Sequence, residues 1–301
     1  MGDRVLVPWE ENLRNLPAGL RGGVYDGAGE PIGDLADVVF YVVPYGRTQR
    51  VDLIERMPRL RVVQLLTAGY EHALEVLPAG VTLANGRGLH DASTAEHALA
   101  LMLAAQRELP RWAADQKERA WRPHYTRSLA GSRVLIVGYG SIGAAIEERL
   151  APHECEILRV ARNPRPDMDV HGVADLHRLL PRADIVVLAA PHTPQTEGLI
   201  GAPELALLTD GALVVNVGRG PLLDTTALLA EEGRIRAALD VTDPEPLPAD
   251  HPLWDAPGVD ITPHVAGGSA TFYPRASRFV DSQLRRWAAG EPLENVVPLR
   301  R

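Results

Sequence analysis

Three short stretches carry side chains suited to work together on a small acid. In Val217-Gly218-Arg219-Gly220 an arginine sits between glycines directly after an apolar run. That setting presents a guanidinium into a crevice, where its natural partner is a carboxylate. Asp240-Val241-Thr242-Asp243-Pro244-Glu245-Pro246 closes the next apolar run with acids held by prolines, and Thr262-Pro263-His264 closes the last with a histidine. Taken singly, each has an ordinary structural reading as a turn arginine, a solvated acid or a strand-end histidine. Together they supply an anion clamp, a proton donor and a carboxylate to orient it, the set that hydride transfer to a carbonyl acid requires.

Hydride transfer also needs a seat for a dinucleotide. Val134 to Val137 form an apolar run leading into Gly138-Tyr139-Gly140-Ser141-Ile142-Gly143, after which Ala144, Ala145, Ile146 and Leu150 repeat at helical spacing. That is strand, tight turn, helix. Gly138 permits the turn, Gly140 has no side chain to block a pyrophosphate, and Gly143 lets the helix lie close against the strand. The helix N-terminus offers unpaired N-H groups and partial positive charge to the phosphates. The following strand ends Leu158-Arg159-Val160-Ala161-Arg162-Asn163-Pro164-Arg165, without the acidic residue that an NAD fingerprint places there to bind the ribose hydroxyls. A carboxylate would repel a 2'-phosphate, whereas Arg162, with Asn163 and Arg165 beside it, can clamp one and stack against adenine. NADP(H) is therefore the expected cofactor, with NAD(H) admissible.

Other chemistries are excluded by what the chain lacks. Lys117 is the only lysine, in a polar helical stretch, so neither a P-loop lysine nor a buried Schiff-base lysine is on offer. A nucleophile elbow would need glycine two residues before Ser141, where Tyr139 stands. Ten histidines raise the question of a metal. They form no His-Glu-x-x-His pattern, and His90 and His97 lack an obvious third ligand, so no metal is expected. Cys155 is the only cysteine, which excludes an intrachain disulfide and suggests a small buried residue at a strand start. Formal net charge is -8 with no long basic run, leaving no source for the phosphate attraction of a nucleic-acid binder. Met1 to Leu16 has no basic n-region followed by an apolar core, and no apolar stretch reaches membrane-spanning length. A cytoplasmic protein, without nucleic-acid or membrane partners, is expected.

The elements that must position these residues follow an α/β alternation. At 301 residues the chain exceeds the usual single core, so two domains are expected. Arg4 to Pro8, Val38 to Val43, Arg61 to Leu66 and Val81 to Ala84 are strand candidates separated by stretches such as Thr48 to Met57. Thr67-Ala68-Gly69-Tyr70 then lies just beyond a strand's carboxyl end, where open α/β sheets bind ligands. Asp91 to Arg107 reads as a capped helix, apolar almost continuously from Ala98 to Ala105 and so buried on all sides, leading towards the glycine motif. Pro110 to Ser128 intersperses Trp112, Trp121 and Tyr125 among charges, as an arm that buries its aromatics in a second subunit would. Strand candidates resume at Cys155 to Val160, Ile185 to Ala190, Ala212 to Val217, Ala237 to Val241 and Val259 to Thr262, and Ser269 to Ala289 closes as one amphipathic helix.

At this point the chain resembles the D-isomer-specific 2-hydroxyacid dehydrogenases over nearly its full length. The resemblance is carried by Gly138 to Gly143, Ala95-Glu96-His97, Pro191-His192-Thr193-Pro194-Gln195-Thr196, Asn216-Val217-Gly218-Arg219-Gly220, the Asp240 to Pro246 segment and Thr262-Pro263-His264, in matching order and spacing. It implies two Rossmann-like or flavodoxin-like parallel-sheet domains with a cleft between them. Residues 1–96 and 272–301 would form the substrate-binding domain and 97–271 the dinucleotide-binding domain. It further implies Arg219 as substrate clamp, Glu245 paired with catalytic His264, and backbone N-H groups around Ala68 and Gly69 as the seat of the substrate carboxylate. Cofactor contacts are expected at Gly138, Tyr139, Gly140, Ser141, Ile142, Gly143, Arg162, Asn163, Pro191, Thr196, Val217, Gly218, Asp240 and His264. The implied activity is NAD(P)-dependent interconversion of a small 2-oxo acid and its D-2-hydroxy acid, of glyoxylate or hydroxypyruvate type, by a homodimer joined mainly through its nucleotide domains. The Arg-rich strand end is similar to that of the NADP-using glyoxylate and hydroxypyruvate reductases. Thr242 stands where many relatives carry an aromatic residue, which bears on pocket size. The alternative is a dinucleotide-sensing binding protein like the C-terminal-binding-protein corepressors, which share the fold and the Arg, Glu and His set.

Overall fold

The structure is a computed structural model describing residues 2–46 and 49–298. Thr48, which opens the expected stretch to Met57, lies outside the described residues, as do 1 and 299–301 of the expected substrate-binding domain. Two compact units emerge, one of residues up to 90 together with those from 270 on, the other of 91–269.

The first unit holds β1 (Asp3–Val7), α1 (Glu10–Arg14), β2 (Leu20–Val24), β3 (Val38–Val42), β4 (Val62–Gln64), α2 (Glu71–Leu74) and β5 (Thr82–Ala84). Its parallel sheet has the order β2-β1-β3-β4-β5. All five residues of β3, Val-Val-Phe-Tyr-Val, are buried, the continuous apolar run of a strand covered on both faces. One face is covered by the C-terminal helix Phe272–Ala289, whose Phe272, Ala276, Val280 and Leu284 recur at helical spacing and pack with Val5, Val7 and Phe40. The helix starts at Phe272 rather than Ser269 and ends at Gly290, where φ is +68°. β2 escapes the apolar-run criterion because it reads Leu-Arg-Gly-Gly-Val. A Cβ at Gly22 would lie 2.7 Å from Leu13 Cδ1, so the residue that weakens the strand signal is the one that admits α1. The open edge of β5 is met by an antiparallel bridge from Val296 to Ala84.

The second unit runs α3 (Asp91–Gln106), α4 (Leu109–Glu118), β6 (Arg133–Val137), α5 (Ser141–Leu150), β7 (Glu156–Ala161), β8 (Val170–Gly172), α6 (Leu176–Leu179), β9 (Ile185–Leu188), α7 (Ala202–Leu207), β10 (Leu213–Asn216), α8 (Thr225–Ala230), β11 (Arg236–Leu239) and β12 (Val259–Ile261). The parallel sheet has the order β12-β11-β10-β9-β6-β7-β8. Chain order reverses between β9 and β6, the crevice where such sheets take nucleotides. Ile136, Val187 and Val215 are fully buried on these central strands, each stabilising the fold by roughly 1.5–3 kcal/mol. β8, three residues at the sheet edge, is too short to leave a periodic signal.

α3 is not buried on every side, because Glu96 and Ala100 are exposed. Its other face, Ala95, Ala98, Met102 and Ala105, packs with Ile136, Ile146 and Val215. Residues 91–96 therefore group with the second unit and not, as the resemblance implies, with residues 1–90. Cys155 precedes β7, only half-buried, and burial pushes its thiol up. No helix among the described residues is long and apolar enough to cross a membrane.

Candidate active site

The β6-α5 turn places its three glycines as the spacing requires. Gly138 has φ of +102°, and a Cβ there would lie 2.3 Å from Ala190 N, where the end of β9 crosses it. A Cβ at Gly143 would meet Gly138 O at 2.8 Å, so helix and strand are in close contact. A Cβ at Gly140 would meet nothing within 4 Å. Space for a ligand therefore opens over the first turn of α5, where Ser141 and Ile142 sit and helix N-H groups lack intrahelical partners. The glycine turn fits a dinucleotide pyrophosphate.

Tyr139 points elsewhere. Its hydroxyl donates to Glu147 Oε2 at 2.5 Å, while Arg159 Nε donates to the same oxygen at 2.7 Å. The hydrogen bond from Arg159 holds the Glu147 carboxyl below its usual range, against burial, and burial pushes the Tyr139 phenol up. Arg165 donates to the Tyr139 carbonyl and lies 5.4 Å from its ring centroid, so Arg165 is part of the turn's framework. Arg162 and Asn163, at the end of β7, are exposed and make no hydrogen bond or ion pair among the described residues.

The next two strand ends are held by internal bonds. Beyond β9, Thr196 Oγ1 donates to Pro191 O at 2.8 Å and accepts from Thr193 N at 2.8 Å, which closes the loop on itself. Beyond β10, Val217 N donates to Leu188 O at 3.1 Å. Asn216, 1% exposed, accepts from Gly218 N through Oδ1 and donates to Arg219 O through Nδ2. A Cβ at Gly218 would lie 2.9 Å from Ala190 O, and one at Gly220 only 1.9 Å from Thr242 O. Neither glycine can be enlarged, so the backbone on both sides of Arg219 is fixed. Its guanidinium, half-buried, donates to Gly218 O at 2.7 Å and has no carboxylate partner among the described residues.

β10, β11 and β12 are neighbours, so Arg219, the 240–246 segment and His264 follow three adjacent strands. Asp240 is 1% exposed. Its Oδ1 accepts from Thr262 Oγ1 at 2.6 Å and Val265 N at 2.9 Å, and its Oδ2 accepts from Ala266 N at 2.9 Å. His97 Nε2 on α3 meets Thr262 Oγ1 at 2.9 Å. Both Asp240 oxygens are thus engaged inside the protein, and what they hold is the segment bearing His264. Thr242, also buried, donates to Pro244 O at 2.8 Å.

His264 has φ of +52°, uncommon for a residue with a Cβ. Its N-H is shared between Asp240 O at 2.8 Å and Thr262 O at 3.0 Å. The ring Nδ1 meets Glu245 Oε1 at 2.5 Å. An ionised carboxylate only accepts, so Nδ1 carries the hydrogen, and Nε2 makes no hydrogen bond among the described residues. The bond to Glu245 raises the His264 pKa above its usual value, reinforced by the charges of Glu245 and Asp240 and opposed by burial and by the Arg219 charge. The carboxylate thus favours the imidazolium form.

In the first unit, Ala68 and Gly69 lie half-buried in the turn after β4, and their N-H groups have no partner among the described residues. Asn216 and Thr262, just at the ends of β10 and β12, brace these loops, a role that residue type and spacing do not reveal. The only sequence signal was a polar residue at the end of an apolar strand.

The family model described as the NAD binding domain of the D-isomer specific 2-hydroxyacid dehydrogenases matches residues 99–266. D-3-phosphoglycerate dehydrogenase of Methanocaldococcus jannaschii is 32% identical over 280 residues, covering 89% of this chain and 53% of that protein. The chain thus spans about half the length of that relative. Glyoxylate/hydroxypyruvate reductase B of Escherichia fergusonii is 36% identical over 246 residues, covering 76% of this chain and 75% of its own. A crystal structure of a D-isomer specific 2-hydroxyacid dehydrogenase from Xanthobacter autotrophicus, in complex with NADPH and MES, aligns with a TM-score of 0.83 at 31% identity, over 99% of this chain and 98% of that one.

Proposed function

The chain belongs to the D-isomer specific 2-hydroxyacid dehydrogenase family, and from that premise we propose that it reduces a small 2-oxo acid of glyoxylate or hydroxypyruvate type to the D-2-hydroxy acid. The observation that carries the reading is the Glu245-His264 pair at 2.5 Å, on the strand ends next to the one that bears Arg219. When bound, a reduced nicotinamide dinucleotide supplies the hydride. Arg219 binds the substrate by charge-assisted bonds and polarises its carbonyl. His264 Nε2 gives a proton to the developing alkoxide, and Glu245 keeps the ring oriented and the imidazolium stabilised. Ala68 and Gly69 bind the substrate carboxylate through their N-H groups. The relatives with named activities described above are dehydrogenases and reductases, which favours this reading over a corepressor-like sensor. Steady-state reduction of a panel of 2-oxo acids tests it, and a protein that binds dinucleotide but turns over none of them overturns it.

The cofactor is NADP(H). Arg162 and Asn163, directly after β7, make no hydrogen bond or ion pair among the described residues, whereas Arg165 is tied to Tyr139. A 2'-phosphate therefore meets Arg162 first, without breaking an existing ion pair. Arg162→Ala should raise the KM for NADPH about tenfold, the equivalent of one charge-assisted bond, and leave that for NADH little changed. Wild-type protein that prefers NADH at matched concentration removes the assignment.

The protein works as a two-fold symmetric dimer. Trp121 and Tyr125 are 95% and 104% exposed, a cost that a partner surface removes. Trp112 needs no partner, since its indole N-H donates to Arg107 O at 2.7 Å and its ring lies 4.5 Å from that of His124. Light scattering at micromolar concentration should give twice the chain mass, and a monomeric mass would refute the dimer.

A further inference from the structure

The turn after β4 owes its two unpaired N-H groups to a residue that lies beyond β5. Asn85 Nδ2 donates to Ala68 O at 2.7 Å, and Gly86 N donates to Thr67 O at 2.7 Å. In a trans peptide the C=O and the following N-H point in opposite directions. Drawing the Thr67 and Ala68 carbonyls towards residues 85–86 therefore turns the Ala68 and Gly69 N-H groups the other way, side by side. The peptide that follows the pair is engaged at both ends: Thr67 Oγ1 donates to Gly69 O at 2.8 Å, and Tyr70 N donates to Glu71 Oε2 at 2.9 Å.

Asn85 is itself fixed on every side. Its Oδ1 accepts from Arg87 N at 3.3 Å, which settles the orientation of the amide and leaves the NH2 group facing Ala68. Its backbone N-H donates to Asn295 O at 3.1 Å, and its carbonyl accepts from Gln64 Nε2 at 3.2 Å. Asn295 also binds this loop, donating from Nδ2 to Arg87 O at 2.8 Å. The close approach depends on Gly86, where a Cβ would lie 2.5 Å from Leu66 C and O. Such a brace costs no reorganisation when an anion arrives.

We propose that Asn85 is a positioning residue for substrate-carboxylate recognition: it holds the Ala68 peptide so that the Ala68 and Gly69 N-H groups form a preset carboxylate seat. This rests on the role given above to Ala68 and Gly69, and it adds the residue that creates their geometry. Asn85→Ala removes the donor. Asn85→Asp keeps the size and the acceptor for Arg87 N, but sets a charged oxygen against the Ala68 carbonyl and beside the incoming anion.

The test is calorimetric titration of oxalate, a carboxylate with no ketone to reduce, into wild type and both variants at saturating NADP. It is accompanied by NADPH titration, melting temperature and glyoxylate kinetics. Asn85→Ala should weaken oxalate about tenfold, the loss of one well-made hydrogen bond, and raise the glyoxylate KM by a similar factor at nearly unchanged kcat. NADPH affinity should not move, and Asn85→Asp should abolish measurable oxalate binding. Oxalate binding that depends on Asn85 in a protein without 2-oxo acid turnover leaves this proposal standing and sinks only the reaction. A folded Asn85→Ala or Asn85→Asp protein with wild-type oxalate affinity overturns it. So does a wild type that binds no oxalate, or a loss matched by equal loss of NADPH affinity, which marks Asn85 as general scaffolding.

Discussion

His264→Ala should lower the turnover number for 2-oxo acid reduction by about two to four orders of magnitude, the range of a positioned general acid, while NADPH binding persists. The ring has Nδ1 on a carboxylate, Glu245 Oε1 at 2.5 Å, while Nε2 makes no hydrogen bond among the described residues. Because Glu245 raises the pKa of His264, the sign of the pH dependence follows. Reduction requires imidazolium, so its rate should be level below the raised value and fall as pH climbs through it. Oxidation of the hydroxy acid requires neutral imidazole and should show the reverse. Glu245→Gln keeps an acceptor but removes the charge, so the midpoint of both profiles should move down. Near-wild-type turnover in His264→Ala, or a midpoint unmoved in Glu245→Gln, takes the pair out of the mechanism.

Arg219→Lys should cost about two to three orders of magnitude in kcat/KM, comparable to losing a preorganised donor at the reacting oxygen. Lysine retains the charge but not the planar fork that grips a carboxylate or carbonyl in fixed orientation. Nor can the backbone shift to compensate: Gly218 and Gly220 are pressed against Ala190 and Thr242, and Asn216 binds the loop at two points. Fluorescence titration should find NADPH affinity unchanged. An equal fall in NADPH affinity would identify Arg219 as a cofactor phosphate ligand.

Much of this protein was legible without coordinates because its decisive signals are local. Gly138, Gly140 and Gly143 each answer a demand within six residues of chain: a positive φ, an open approach and a close helix contact. The apolar runs ending in Arg219, Asp240 and His264 became β10, β11 and β12, whose adjacency follows from parallel α/β winding. The strands left unread, β2 and β8, are edge strands whose glycines or shortness erase the alternation on which such reading depends.

What the sequence by itself determined is the kind of chemistry: a dinucleotide turn without the ribose-binding acid, and an arginine, a glutamate and a histidine at strand ends. Only the tertiary structure decided which polar groups are free and which are struts. Asp240 is bound to Thr262, 22 residues on; Arg165 to Tyr139, 26 back; Asn85 to Ala68, 17 back. A side chain's hydrogen-bonding capacity is finite, and whether it is used internally depends on partners brought close by sheet register, not by neighbouring sequence. Residue type therefore identified Asp240 and Tyr139 as candidates, and the fold engages both side chains internally, whereas Arg162 and the far nitrogen of His264 make no hydrogen bond among the described residues.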